Sequence, residues 1–177
     1  MKEIANMDLD KQCYSDWVYN NRLHFGTWKR NNGNIIFTWD DDKLRQKLNQ
    51  KYNLKIPVPC IYYLFEMYDP LNWKSVIKVG QSIQLSTRWS GYTTKLNSYH
   101  KKGKLGTKDN GNFKTSKTIL ELFEKNTNDF EIHAVVWFLD PLKKHTEIQN
   151  NIKIPLSPDL RKLEALEKLK FNNLLLE

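Results

Sequence analysis

The sequence predicts an α+β domain in which a small three-stranded, mainly antiparallel sheet is flanked by helices. Three segments rich in β-branched and aromatic residues are typical of strands, and they alternate with amphipathic segments that are typical of helices. The first two strand segments are separated by a short polar stretch, so they most simply pair as an antiparallel hairpin. With 177 residues, the chain suits one domain that buries a sizeable core.

The N-terminal part of the chain is predicted to have mixed structure. Apolar side chains near helical spacing indicate a weak helix over residues 10–28. The run Asn-Asn-Gly-Asn at 31–34 is typical of a turn, and the apolar residues 35–39 after it are typical of a strand. Asp40 or Asp41 is expected to cap a further helix.

Two prolines, Pro57 and Pro59, then mark a boundary in the chain. We expect residues 1–58 to be an N-terminal extension and residues 59–177 to be the sheet domain. Glycines and lysines at about 99–114 predict a basic insertion that is a mobile loop or a loose hairpin. Within the sheet domain, strands are expected over 60–68, 75–80 and 130–139, and helices after Ser82, over 115–126 and over 157–175.

Composition narrows the class of partner. The formal net charge is +8, which favours a polyanion: nucleic acid first, and an anionic membrane surface second. The alternative is a basic surface kept for solubility. The two cysteines have no metal-binding spacing, so two reduced thiols are expected. The longest apolar run, 134–139, is too short to cross a bilayer, and these features together favour a soluble, cytoplasmic protein of a prokaryote or virus.

Several common catalytic motifs are absent from the sequence. It contains no phosphate-binding loop, no dinucleotide-binding glycine fingerprint and no nucleophile elbow. The four histidines show no ligand spacing, and His133 lies in an apolar strand, where a structural role is the commoner one.

The predicted hairpin and the helix after it bring together residues that suit a phosphate. Strand alternation places Tyr62 and Lys78 on one face, beside the bare Gly80. Arg88 follows about two turns into the next helix. A tyrosine, a lysine and an arginine on a basic surface are suited to bind a phosphate group. The alternative is that the tyrosine packs in the core and the arginine is solvated.

The same residues resemble the GIY-YIG nuclease superfamily. Cys60-Ile61-Tyr62 matches the first signature, Gly-Ile-Tyr, with Cys for Gly, and Lys78-Val79-Gly80 matches the second, Tyr-Ile-Gly, with Lys for Tyr and Val for Ile. The residues that follow match the family's register at Gly80, Ser82, Leu85, Arg88 and Tyr92. The match covers residues 60–92 and extends loosely to the C-terminal helix.

This resemblance implies a metal-dependent nuclease. The family's three-stranded sheet agrees with the predicted strand count, and one Mg²⁺ is implied on a glutamate of a later helix. Glu164 is placed first, and Glu167 is the alternative because it falls within the helix's apolar stripe. The resemblance also implies the catalytic roles. Tyr62, assisted by Lys78, would take a proton from water, Arg88 would stabilise the phosphate, and Tyr92 would bind the water or the phosphate. Tyr63 is the alternative base if the strand is shifted by one residue.

The chain's extra length resembles the type II restriction endonucleases of this superfamily. We expect a sequence-specific DNA endonuclease that acts as a homodimer on a palindromic site. The resemblance implies that the N-terminal extension, residues 1–58, recognises DNA. DNA contacts are expected from Lys101, Lys102, Lys104, Lys108, Arg30 and Asn32. Two alternatives stay open: a non-catalytic nucleic-acid-binding module on a degenerate nuclease fold, and an adaptor for a membrane surface or another anionic partner.

Overall fold

A five-stranded antiparallel sheet forms the centre of the protein in a computed structural model, which describes residues 13–46, 59–68, 73–106, 111–139 and 156–171. The strands follow the order β2-β1-β5-β3-β4, so the last strand in sequence lies in the middle of the sheet. Their bounds are β1 Leu23–Asn31, β2 Asn34–Trp39, β3 Cys60–Tyr68, β4 Trp73–Ser82 and β5 Glu131–Phe138.

Helices cover both faces of this sheet. Within the described ranges they are α1 (13–21), α2 (42–46), α3 Leu85–Lys102, α4 Gly111–Lys125 and α5 Leu156–Lys168. Helices α3 and α4 bury residues such as Trp89 and Phe123 against one face of the sheet. On the other face, Val18 of α1 and Leu160 of α5 pack against Tyr63 and Phe65. The two faces therefore carry separate apolar cores, in a three-layer arrangement.

The predicted α+β class with an antiparallel sheet is confirmed, but the prediction of three strands is wrong. The β3–β4 hairpin and β5 are present as expected, and β1 and β2 add two strands from the N-terminal region. Strand β5 pairs with β1 on one side and with β3 on the other. Residues from both sides of the proline boundary therefore form one hydrogen-bonded sheet.

A bulge explains why β1 was predicted as helix. The helix ends at residue 21, and β1 begins two residues later. The pairing register of β1 with β5 shifts between His24 and Gly26, so Phe25 and Gly26 are consecutive buried residues. A bulge interrupts the alternation of buried and exposed side chains that identifies a strand. The apolar residues of β1 consequently do not show a period of two.

The basic segment at 99–114 is not a hairpin in its described part. Residues 99–102 form the last turn of α3, and 111–114 form the first turn of α4. Gly103 ends α3 in the left-handed conformation (φ 65°), and its N–H donates to the carbonyl of Tyr99 at 2.8 Å. Lysines at the end of α3 are favourable beside the negative end of the helix dipole, which stabilises a helix through a segment whose composition resembles a loop.

Several local predictions are confirmed. The turn between β1 and β2 contains Asn32 and Gly33, both with positive φ. The backbone N–H of Lys43 donates to the Asp41 carboxylate at 2.7 Å, as a helix cap requires, and the helix is described as far as residue 46.

The prediction that Ser82 caps the next helix is wrong, because its hydroxyl accepts from the N–H of Gln84 in the turn before α3. Both cysteines are free thiols.

Candidate active site

The β3–β4 hairpin places the first two site residues on the same face of the sheet. Tyr62 lies opposite Gly80, and Leu64 lies opposite Lys78. Side chains of directly opposed residues project on the same side of an antiparallel pair. The prediction that Tyr62 and Lys78 share a face beside Gly80 is therefore confirmed, and this is the face that α3 covers.

Gly80 is required because the ring of Tyr62 lies across it. A Cβ atom at this position would come within 2.3 Å of Cζ and 2.4 Å of the hydroxyl oxygen of Tyr62. Any side chain here would displace the ring. The absence of a side chain at Gly80 thus allows the Tyr62 hydroxyl to occupy its position. A glycine opposite this tyrosine is therefore a steric requirement of the hairpin.

Tyr62 and Tyr92 form a buried hydroxyl pair. Their oxygens are 2.7 Å apart, and the two side chains are 2 % and 1 % exposed. Burial raises the pKa of both hydroxyls, and for Tyr62 the proximity of Tyr92 raises it further. The positive charge of Arg88 acts in the opposite direction on both pKa values. Both tyrosines are therefore neutral hydrogen-bonding groups at neutral pH.

Arg88 is held in place by α4. Its Nη1 donates to Oδ1 of Asn112 at 3.1 Å, and Asn112 lies at the start of α4. The Asn112 amide in turn lies over Gly91 of α3, where a Cβ would come within 2.4 Å of Nδ2. Within the described ranges no carboxylate forms an ion pair with Arg88. Its guanidinium is thus oriented by a neutral partner and keeps its full charge for an anion.

Lys78 has an unusual protonation equilibrium. Burial, followed by the positive charges of Lys168, Arg88 and Lys114, lowers its pKa to about 8, and the negative charge of Glu164 opposes this shift. An amine with a pKa near the pH of its surroundings is suited to accept and release a proton. The lowered pKa therefore suits Lys78 to exchange a proton, whereas burial raises the pKa of Tyr62 and keeps its hydroxyl protonated.

Glu164 of α5 supplies the carboxylate of this cluster. Its charge raises the pKa of Tyr62, Tyr92 and Lys78, which places it within electrostatic reach of all three. Its carboxylate is 18 % exposed and forms an ion pair with Lys168 at 3.0 Å. Arg88 of α3 and Glu164 of α5 thus lie within electrostatic range of Tyr62 on β3 and of Lys78 on β4.

Glu167, one turn further along α5, belongs to a different environment. Its Oε2 accepts from the hydroxyls of Tyr14 at 2.7 Å and Tyr63 at 2.9 Å, and Lys170 donates to Oε1 at 2.7 Å. These hydrogen bonds use both oxygens of a side chain that is 2 % exposed. Tyr63 projects into the core on the other side of the sheet from Tyr62, and burial followed by the Glu167 charge raises its pKa. Glu167 and Tyr63 are therefore not brought together with Tyr62.

A resident metal ion is not favoured by the protein side chains alone. Among the described residues, no group of three or more histidine, cysteine, aspartate or glutamate side chains could hold a metal ion. Glu164 is a single carboxylate among cations. Mg²⁺ is commonly held by one or two carboxylates together with substrate phosphates and water. One carboxylate is therefore sufficient only for a Mg²⁺ that substrate phosphate and water also hold.

The candidate DNA-contacting residues lie in two places. Lys101, Lys102 and Lys104 are exposed at and beyond the end of α3, and Asn32 is exposed in the β1–β2 turn. Arg30 is half-buried, lies over the ring of Phe123 and donates to the Phe123 carbonyl, so its guanidinium is already engaged. Lys108 lies outside the described residues.

Three contributors to the site were missed from the sequence: Asn112, Thr115 and Lys168. Asn112 orients Arg88, the Thr115 side chain lowers the pKa of Tyr92, and Lys168 pairs with Glu164. Of these three residues, only Lys168 could be inferred from the sequence, because a glutamate four residues before a lysine is a favourable helical pair. The first two act across the α3–α4 contact, which no local pattern shows.

No family model, curated protein or solved structure matches the chain. Among the described helices, none combines the length and the apolar character needed to cross a membrane.

Proposed function

We propose that the protein is a metal-dependent DNA endonuclease with a GIY-YIG-like active site. The observation that carries this proposal is the Tyr62–Tyr92 hydroxyl pair, with Arg88 and Glu164 within electrostatic range of both this pair and Lys78. These are the residues that the family resemblance selects from the sequence. A cluster with one carboxylate, two hydroxyls and two cations suits a phosphodiester, whose oxygens need positive charge and hydrogen-bond donors.

Arg88 and Lys78 have distinct roles in the proposed reaction. Arg88, oriented by Asn112, pairs with the non-bridging oxygens of the scissile phosphate and stabilises the charge that develops on them. The oxygen of a water molecule bonds to phosphorus as the bond to the leaving oxygen breaks. The unprotonated amine of Lys78 accepts the water proton, since its lowered pKa makes that form available near pH 8.

The tyrosines act as donors rather than as bases in this scheme. The raised pKa of Tyr62 keeps its proton in place, so its hydroxyl orients the water or a phosphate oxygen. This assignment gives the Lys-for-Tyr exchange at 78 a function. Mg²⁺ would be held by Glu164 and would supply positive charge at the leaving oxygen when bound.

The finer proposal is a type II restriction endonuclease that binds a palindromic site as a homodimer. The basic charge of +8 and the exposed lysines at the end of α3 support a DNA substrate. Digestion of a large sequenced DNA with Mg²⁺ should give discrete bands, whereas a smear would indicate a nuclease without sequence preference. Sedimentation of the protein with a cleaved site would show whether two copies bind.

Plasmid cleavage with Mg²⁺ tests the site directly. Arg88→Ala is expected to reduce the rate by about 10²–10³-fold, as the loss of one transition-state donor does. Arg161→Ala removes an exposed arginine from α5 and serves as the matched control, with the wild-type rate expected. Equal rates for both variants would show that cleavage occurs elsewhere on the protein.

A non-catalytic nucleic-acid-binding module is the second candidate, and the burial of Tyr62 favours it. The hydroxyl pair with Tyr92 is closed to solvent, so water must displace it before the tyrosine can take part. A wild-type protein that binds DNA but cuts none with Mg²⁺, Mn²⁺ or Ca²⁺ would support this candidate and exclude the nuclease.

A further inference from the structure

Three aromatic rings and two cations form a row on the face of the sheet that α1 covers. Lys170 lies over the ring of Tyr14 at 4.8 Å, and Tyr14 lies beside Trp17 with ring centroids 5.9 Å apart. The guanidinium of Arg22 lies 4.9 Å from the Trp17 ring and 4.2 Å from the Trp137 ring. We call these five residues the aromatic row.

Three separate parts of the chain build the aromatic row. Tyr14 and Trp17 are one turn apart on α1, Arg22 directly follows that helix, and Trp137 is on the central strand β5. Lys170 follows α5 and is fixed by its bond to Glu167. The buried Val18, on the same helix, packs against the sheet and fixes α1 beneath the row. The rings are therefore held in place before any ligand arrives.

Two observations indicate that the aromatic row has a ligand. Trp17 is 46 % exposed, although a large apolar ring is ordinarily covered. The buried Nε of Arg22 has no hydrogen-bond partner within the described ranges, and no carboxylate there forms an ion pair with this arginine. An exposed indole beside a cation that has no carboxylate partner among the described residues suits a ligand that is both planar and anionic.

We infer that the aromatic row binds single-stranded nucleic acid by stacking unpaired bases. Bases stack on aromatic rings in a manner that tolerates any sequence, and cations beside the rings pair with the phosphates. Duplex DNA does not offer this match, since its bases are already stacked on each other. The net charge of +8 provides the long-range attraction. This binding does not depend on the nuclease proposal, because no residue of the aromatic row is among the proposed catalytic residues.

Fluorescence anisotropy with a labelled oligothymidylate of about 12 nucleotides tests this inference, since single-strand binding modules contact roughly 4–16 nucleotides. The measurement uses the full-length Arg88→Ala protein in EDTA, so that cleavage cannot contribute. Trp17→Ala is expected to weaken binding about tenfold, which lies within the range for loss of one stacked base, and Trp17→Phe should retain most of the affinity. Leu166→Ala, which removes a 55 % exposed apolar side chain from α5, is the matched control and should bind as the parent does.

Salt dependence provides a second readout that a folding defect would not reproduce. Arg22→Gln should lower the slope of log affinity against log salt by about 0.7, the value for one phosphate contact on a single strand. Circular dichroism would show that each variant is folded. The inference is overturned if Trp17→Ala binds oligothymidylate as tightly as its parent, or if a duplex of the same length competes equally well.

Discussion

Alanine at Glu167 should destabilise the fold, whereas alanine at Glu164 should leave it nearly unchanged. Glu167 accepts hydrogen bonds from Tyr14 and from the fully buried Tyr63. Hydrogen bonds to a charged group contribute about 1.5–3 kcal/mol each, so the loss of two corresponds to about 4 kcal/mol. The Lys170 ion pair adds little, because that lysine is 48 % exposed.

The same reasoning gives a small effect at Glu164. Its ion pair with Lys168 joins side chains that are 18 % and 28 % exposed and four residues apart on a helix. Such pairs contribute about 0.3–0.5 kcal/mol. Glu164→Ala should therefore fold as the wild type does and lose metal-dependent cleavage, which is the expected result for a ligand of the reaction rather than a structural residue.

Urea unfolding followed by tryptophan fluorescence measures the difference between the two variants. With a slope of about 2 kcal/mol per molar urea, Glu167→Ala should lower the midpoint by about 2 M and Glu164→Ala by only a few tenths. The assignment is refuted if Glu167→Ala shifts the midpoint no more than Glu164→Ala does. Cleavage that survives in Glu164→Ala would separately refute its proposed role.

The stability that Glu167 provides should depend on pH. Burial raises its pKa, but hydrogen bonds from Lys170, Tyr14 and Tyr63 together outweigh burial and lower it. Because the folded-state pKa lies below the unfolded-state value, the contribution is fully present above the unfolded-state pKa and is lost as the pH falls through the folded-state pKa. The difference in urea midpoint between wild type and Glu167→Ala should shrink over that acidic interval.

Three further predictions concern the site. Gly80→Ala places a Cβ 2.3 Å from the Tyr62 ring, so it should lower the free energy of unfolding by about 1–3 kcal/mol and reduce cleavage. Urea unfolding and plasmid assays measure these two effects. Wild-type values in both would contradict the close approach. Asn112→Ala removes the acceptor that orients Arg88 and should lower kcat roughly tenfold, as single-turnover kinetics would show. Asn112→Asp keeps an acceptor but pairs the charge of Arg88 with a carboxylate, so it should not restore the rate. The cleavage rate should rise with pH and level off above about pH 8 as Lys78 loses its proton, and an unchanged profile in Lys78→Gln would exclude it as the base.

The parts of the structure that follow from local pattern were predicted from the sequence. The β3–β4 hairpin brings together strands that are neighbours in sequence, so alternation alone placed Tyr62 and Lys78 on one face. The capping role of Asp41 and the turn at Asn32 also depend on nearby residues. Local pattern is sufficient there because the interacting groups are separated by a short loop.

The remaining features depend on partners far away in sequence. Strand β1 is bulged, so its own side chains do not alternate, and only the predicted turn and strand that follow it indicate that it pairs with β2. Its other partner, β5, begins about a hundred residues later, at Glu131. Glu167 was offered as a metal ligand because a carboxylate within an apolar stripe needs a partner. Its partners are Tyr14 and Tyr63, which lie 153 and 104 residues away, and a helical wheel does not show them. The resemblance to the GIY-YIG nucleases depends on a few residues in a short register of the sequence.

The position of β5 at the centre of the sheet has a consequence for any attempt to isolate residues 59–177. Cutting the chain at the prolines would remove β1 and expose the edge of β5 that pairs with it from Glu131 to Val136, while the edge paired with β3 would remain covered. This stretch includes Ile132, Ala134 and Val136, and an exposed apolar strand edge is a template for pairing between chains. The shortened protein would tend to self-associate through that edge. The N-terminal strands therefore act as a cover that keeps the sheet from polymerising.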